Sequence, residues 1–262
     1  MKPIKISVIV VAILSVMAIA SFAFIKSRTL NHKIAGDKGF AVVELFTSEG
    51  CSSCPPADEL VAKIQKESNN KPIYILAYHV DYWNRLGWKD VFSSADFSKR
   101  QNEYASYLHL QSVYTPQVVV NGKTEFTGSE EGKLRSAIQA ALQKDPAAQL
   151  SLAILKTDKK EASLKYNIEG SGKNAVLLLA VLQKSAQTKV ERGENAGHTL
   201  SHVQIVRELQ KVHLKGNSGI ANLALPDGFD AKNWEIIGIL QNKSDGTVAA
   251  AARVMFSNQV NS

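Results

Sequence analysis

The hydrophobic period of this chain changes once, near residue 149, and that change limits the folds open to it. Before it, short apolar runs alternate with residues spaced three and four apart; after it the helical spacing nearly vanishes. In the first stretch Phe40 to Phe46 is a run of strand length, closed by Thr47-Ser48-Glu49-Gly50. Leu60, Val61 and Ile64 then share one helical face, and residues 72–78 form a second apolar strand. Ser93 and Asp96 open another helix bearing Phe97, Tyr104 and Leu108. Residues 117–120 and 124–127 flank the hairpin turn Asn121-Gly122, and Leu134, Ile138, Ala141 and Leu142 mark a last helix stopped by Asp145-Pro146. The predicted order is βαβαββα, an α/β domain over residues 39–146. Beyond it, strands are expected at 150–155, 162–168, 176–182, 201–212, 220–225, 235–241 and 248–256. Short strands at that spacing predict an all-β, sandwich-like domain over residues 149–258.

The start of the chain reads as an address. Lys2 and Lys5 precede an uncharged run over residues 6–25, with Ala18-Ile19-Ala20 offering a small–x–small cleavage pattern. The run is also long enough to span a bilayer if uncleaved. Residues 1–25 are therefore a signal peptide or an N-terminal membrane anchor, and residues 26–38 a tether. Either way the folded part is exported, periplasmic or secreted, possible anchorage being to the inner membrane, where disulfides persist. Of the formal charge of +7, residues 1–37 carry +4, so the remainder has no basic excess that would suit nucleic acid.

Cys51 and Cys54 are the chain's two cysteines, in the string Cys51-Ser52-Ser53-Cys54-Pro55-Pro56. Two consecutive prolines lack backbone N–H groups, which a helix tolerates in its first turn. They pin a helix start at the CxxC, near the positive end of the helix dipole, which favours a Cys51 thiolate. Cys54 lies about one turn on and can resolve a mixed disulfide formed at Cys51. Thr115-Pro116, just ahead of a strand, can form a cis bond beside that loop.

The order βαβαββα, the CxxC after the first strand and the Thr-Pro before the third resemble the thioredoxin fold. Longer strings resemble the domain-of-unknown-function family 1223, exported bacterial proteins with a thioredoxin-like domain. They are Glu44 through Asp58 (ELFTSEGCSSCPPAD), His79-Val-Asp81-Tyr-Trp83, Leu86-Gly-Trp-Lys-Asp90, Tyr114-Thr115-Pro116-Gln117 and Arg192-Gly-Glu-Asn195. The resemblance implies Cys51 as attacking thiol, Cys54 as resolving thiol and Pro116 as the cis-proline facing them. Glu44 stands near the place of a buried carboxylate that moves protons for the second cysteine, although one residue further from Cys51 than in thioredoxin. Glu49 is a nearer rival, expected to be exposed.

His79 and Asp81 alternate at a strand end and should share a face near the CxxC, as a proton relay, as metal ligands with the cysteines, or as a polar pair holding the next loop. Arg192, Glu194 and Asn195 read as a loop network. His198 and His202 are four apart in a loop-to-strand segment, where that spacing does not favour ligation. The leading expectation is an exported thiol–disulfide oxidoreductase acting on cysteine-containing proteins or small thiols, served by a redox partner protein, without a cofactor. A Cu(I)- or Zn-binding metallochaperone using Cys51, Cys54 and His79, and a non-enzymatic adaptor, stay open beside it.

Overall fold

The computed structural model describes residues 39–68, 70–170 and 174–256. The expected leader and tether lie outside the described residues, among which no helix is long and apolar enough to cross a membrane. The first half contains β1 (Ala41–Thr47), α1 (Pro55–Glu67), β2 (Ile73–His79), α2 (Ala95–Tyr107), β3 (Gln117–Val120), β4 (Thr124–Thr127) and α3 (Glu131–Leu142). Then come β5 (Ala148–Thr157), β6 (Glu161–Gly170), β7 (Ala175–Lys189), β8 (Thr199–Val212), β9 (Ser218–Ala224), β10 (Trp234–Asn242) and β11 (Val248–Met255). The order of elements is the one expected.

The expected fold class is overturned. An α/β thioredoxin-like domain followed by a β-sandwich requires the sheet of the first half to end at its own strands. Instead the protein is mostly β, and one mixed sheet of eight strands runs β11-β10-β7-β8-β2-β1-β3-β4. A second sheet, β5-β6-β9, packs on the far end. The physical cause lies at the edge of β2, whose unpaired backbone groups would otherwise form an open template. Strand β8 covers that edge, running parallel to β2 with Ala77 opposite Ile205. Sequence periodicity identifies strands but carries no information on which edge a distant strand will cover.

Every residue of β1 is buried, as a strand covered on both faces requires. Ala41, Val43 and Leu45 pack against α1 and α3, while Val42 and Phe46 face the aromatic cluster of Tyr78, Phe97 and Tyr104 under α2. Truncating a side chain such as Leu45 to Ala costs about 2–5 kcal/mol. Helix α2 is capped by Ser94, whose Oγ accepts the Asp96 N–H, one residue later than the expected Ser93 start. The hairpin between β3 and β4 turns through Asn121 and Gly122, both at positive φ (49° and 67°), as Asn-Gly turns favour.

Candidate functional site

Helix α1 begins at Pro55, so Cys54 occupies its capping position and Cys51 lies a turn ahead, with the Cys54 N–H donating to the Cys51 carbonyl. The two cysteines form a disulfide with Cα atoms 5.4 Å apart. Ser53 Oγ lies 3.3 Å from Cys51 Sγ. The Thr115–Pro116 bond is cis, as expected. Pro116 is near the start of α1: a Cβ on Gly128 would stand 3.1 Å from Ala57 Cβ and 3.3 Å from Pro116 Cβ. The Thr115 hydroxyl accepts a hydrogen bond from the Trp83 indole at 2.8 Å.

The helix start expected at the CxxC is present, but both cysteines are completely buried while Ser52 and Ser53 are exposed. The cover comes from the tip of the β7–β8 hairpin, residues 190–198. Asn195 Nδ2 donates to the carbonyls of Glu49 (2.8 Å) and Cys51 (3.0 Å). Glu194 Oε2 accepts from the Ser52 N–H at 2.9 Å. That bond and a second from the Ser52 side chain lower the Glu194 pKa below its ordinary 4.5. Gly193 at φ 79° sits against Trp88, where an added Cβ would meet the Trp88 Cβ at 3.3 Å. Glu194 and Asn195 of the Arg192–Asn195 string thus form a loop network whose partners lie on the CxxC segment.

Beneath the loop lies a buried cluster that sequence reasoning found only in part. His79, from the end of β2, hydrogen-bonds through Nδ1 to Asp90 Oδ2 at 2.7 Å. Asp90 also accepts from the Glu49 and Phe92 N–H groups. Burial opposes ionisation of Asp90, but the His79 charge and these hydrogen bonds outweigh it and hold its pKa below the ordinary carboxylate value. His202, from β8, places Nε2 3.5 Å from Glu49 Oε1 and Nδ1 3.7 Å from Asp58 Oδ1. Those separations exceed a formed hydrogen bond. Burial disfavours its protonated form, yet the pull of Asp58 and Glu49 wins and raises its pKa to about 9. Asp58 Oδ2 accepts from the Thr47 hydroxyl at 2.8 Å, and Glu49 Oε2 from the Trp88 indole at 2.7 Å. The Phe92 ring meets both imidazoles edge-on.

Two other expectations resolve differently. Glu44 lies on the α2 side of the sheet, where Arg100 Nε donates to its Oε2 at 2.5 Å and the Tyr104 hydroxyl donates to its Oε1. Gln241 of β10 completes that network through Arg100 and Tyr104. Asp81 does not join His79; its Oδ1 accepts from Ser98 of α2 at 2.5 Å. Glu49, expected to be exposed, is fully buried, and His202, set aside on spacing, stands at the centre of the cluster. The missed signal was long range. His202 enters from β8, whose neighbour β2 cannot be read from local pattern.

A class emerges from these features: a mostly β protein that holds a CxxC disulfide at a helix start, under a loop from its own second half. The chain belongs to the family described as "Protein of unknown function (DUF1223)", whose model matches residues 42–241. The crystal structure of protein AGR_C_4864 from Agrobacterium tumefaciens, a structural-genomics target, is 26% identical, with 86% of this chain and 98% of that chain covered and a TM-score of 0.67. A domain of the outer membrane lipoprotein Omp28 from Porphyromonas gingivalis matches at 15% identity, over 43% of this chain and 89% of that chain, with a TM-score of 0.29. No curated protein matches.

Proposed function

We propose that the protein is a thiol–disulfide oxidoreductase whose working group is the Cys51–Cys54 pair, acting on cysteine-containing proteins or small thiols in an exported compartment. The observation that carries this reading is a disulfide between residues three apart at the start of α1. A crosslink between residues three apart closes a very short loop, so it stabilises the fold little, and chemistry is the better reason to keep it. The leader supports export, where such a pair is maintained by a redox partner protein rather than reduced by the cytosol.

In one direction, a substrate thiolate attacks Cys51 Sγ, the Cys51–Cys54 bond breaks, and its electron pair leaves on Cys54 Sγ. A second substrate thiol, giving up its proton to solvent, then attacks the substrate sulfur of the mixed disulfide. Its product is a substrate disulfide, and the protein retains two electrons as a dithiol. The reverse sequence reduces a substrate, with Cys51 attacking and Cys54 resolving. Both directions require the 190–198 loop to withdraw, because Cys51 is covered in the closed state.

Cys54→Ser should accumulate mixed disulfides with thiol-bearing substrates, and Cys51→Ser should abolish exchange; alkylation with mass spectrometry across a glutathione gradient reads both. Equal trapping by the two variants would overturn the assignment of attacker and resolver. A wild-type pair that never exchanges defeats the proposal.

A further inference from the structure

The cluster beneath the disulfide has more donor capacity than its protein partners use. Glu49 Oε1, His79 Nε2 and both ring nitrogens of His202 are buried without a hydrogen-bond partner. Each belongs to a side chain that is at most 2% exposed. Buried polar atoms are almost always paired, so unpartnered nitrogens on two neighbouring imidazoles, with the Asp58 carboxylate beside them, call for a ligand that accepts one lone pair from each ring. Three carboxylates, Glu49, Asp58 and Asp90, also line this buried volume beside the two imidazoles, with Arg207 over the Phe92 ring at its edge, an anionic surround that favours a bound cation.

We propose that Asp58, His79 and His202 bind a divalent transition-metal ion of the zinc class. Donor atoms of these three residues all lie within 4.8 Å of one another. Neighbouring donors around a tetrahedral zinc stand about 3.4 Å apart, so a pair at the full 4.8 Å closes by about 1.4 Å on binding. Imidazole nitrogen and carboxylate oxygen suit Zn²⁺ and its neighbours, and the absence of thiolate among these donors disfavours Cu(I).

The surroundings are those of a metal site. Histidine ligands carry a carboxylate on the nitrogen away from the metal, which fixes the tautomer and raises basicity. His79 has Asp90 on Nδ1 at 2.7 Å, leaving Nε2 free. His202 has Glu49 Oε1 off Nε2 at 3.5 Å, leaving Nδ1 toward Asp58 Oδ1. The remaining oxygen of Asp58 is held by the Thr47 hydroxyl. His79 and Asp58 therefore each have their second polar atom hydrogen-bonded, while His202 Nε2 stands beside Glu49 Oε1 without a formed bond. This site does not use the cysteines, which separates it from the thiolate metallochaperone reading, and it stands whether or not the disulfide exchanges.

The test uses the full chain with its disulfide verified intact. Protein stripped with EDTA is reloaded with Zn²⁺ or Co²⁺, desalted, and its metal counted by mass spectrometry. One ion per chain is expected, with a Co²⁺ visible spectrum free of thiolate charge-transfer bands. His79→Ala and His202→Ala should each lose stoichiometric retention while keeping wild-type circular dichroism. Asp90→Asn, which keeps the fold's volume, should weaken binding about 10–100-fold. The Cys51→Ser/Cys54→Ser double variant should retain the ion. A wild type that holds no stoichiometric metal, leaving the cluster to protons alone, overturns the proposal. So does retention undiminished in the histidine variants or in Asp90→Asn, or loss in the double cysteine variant. If the alanine variants fail to fold, the wild-type stoichiometry and Asp90→Asn decide.

Discussion

Asn195→Ala tests whether the hairpin tip gates the disulfide. One side-chain amide donates to two buried carbonyls, Glu49 at 2.8 Å and Cys51 at 3.0 Å, and alanine removes both bonds without adding bulk. Neutral hydrogen bonds contribute about 0.5–1.5 kcal/mol each, so the closed loop loses about 1–3 kcal/mol. That free energy raises the open population about 5–150-fold. If dithiothreitol reduces Cys51–Cys54 only when the loop is open, the reduction rate rises by the same factor. The assay quenches the reaction with acid, alkylates free thiols and follows the mass. Repeating it in low urea separates local from global opening, since local opening exposes less surface and depends more weakly on denaturant. Two results refute the reasoning: an unchanged rate in Asn195→Ala, or a wild-type reduction rate with the urea dependence of complete unfolding.

Two further outcomes are expected. Because the Ser52 N–H bond holds the Glu194 pKa below 4.5, the ionised carboxylate's contribution to closure is full above 4.5 and is lost as pH falls through the lowered value. With a phosphine reductant, wild-type reduction should therefore accelerate relative to Glu194→Gln on acidification; a rate ratio flat from neutral to acid pH rejects this. Arg100→Met strands the buried Glu44 carboxylate without its cation and should destabilise the protein by about 3–5 kcal/mol in urea titrations. Glu44→Leu/Arg100→Met should recover part of the loss, and a single variant within 1 kcal/mol of wild type, about the net worth of one hydrogen bond, rejects the buried pair.

Local chemistry was legible in the sequence and long-range pairing was not. Pro55-Pro56 located the start of α1, Asn121-Gly122 located the β3–β4 turn, Thr115-Pro116 marked the cis bond, and each later strand overlaps its apolar run, although β7 continues seven residues past it. These features are fixed by a few neighbouring residues. The eight-stranded sheet depends instead on β8 lying beside β2, a choice made by surface complementarity between segments far apart in the chain. The site divides along the same line. Cys51, Cys54 and His79 came from short strings, whereas the burial of Glu49 follows from Trp88 and the hairpin tip closing over it. His202 has no local signature at all. It becomes chemically interesting when β8 brings it within 4.8 Å, ring centre to ring centre, of His79.

The hydrogen bond from Asn195 to Cys51 joins residues 144 positions apart, which sets a timetable for synthesis. A ribosome adding about 5–20 residues per second delivers the cysteines on the order of ten seconds before the residue that will cover them. During that interval the nascent CxxC has neither lid nor His202, and any oxidant or thiol that meets it finds an unguarded pair. Completion of the β7–β8 hairpin therefore ends a window of unguarded chemistry, after which exchange waits on withdrawal of the 190–198 loop.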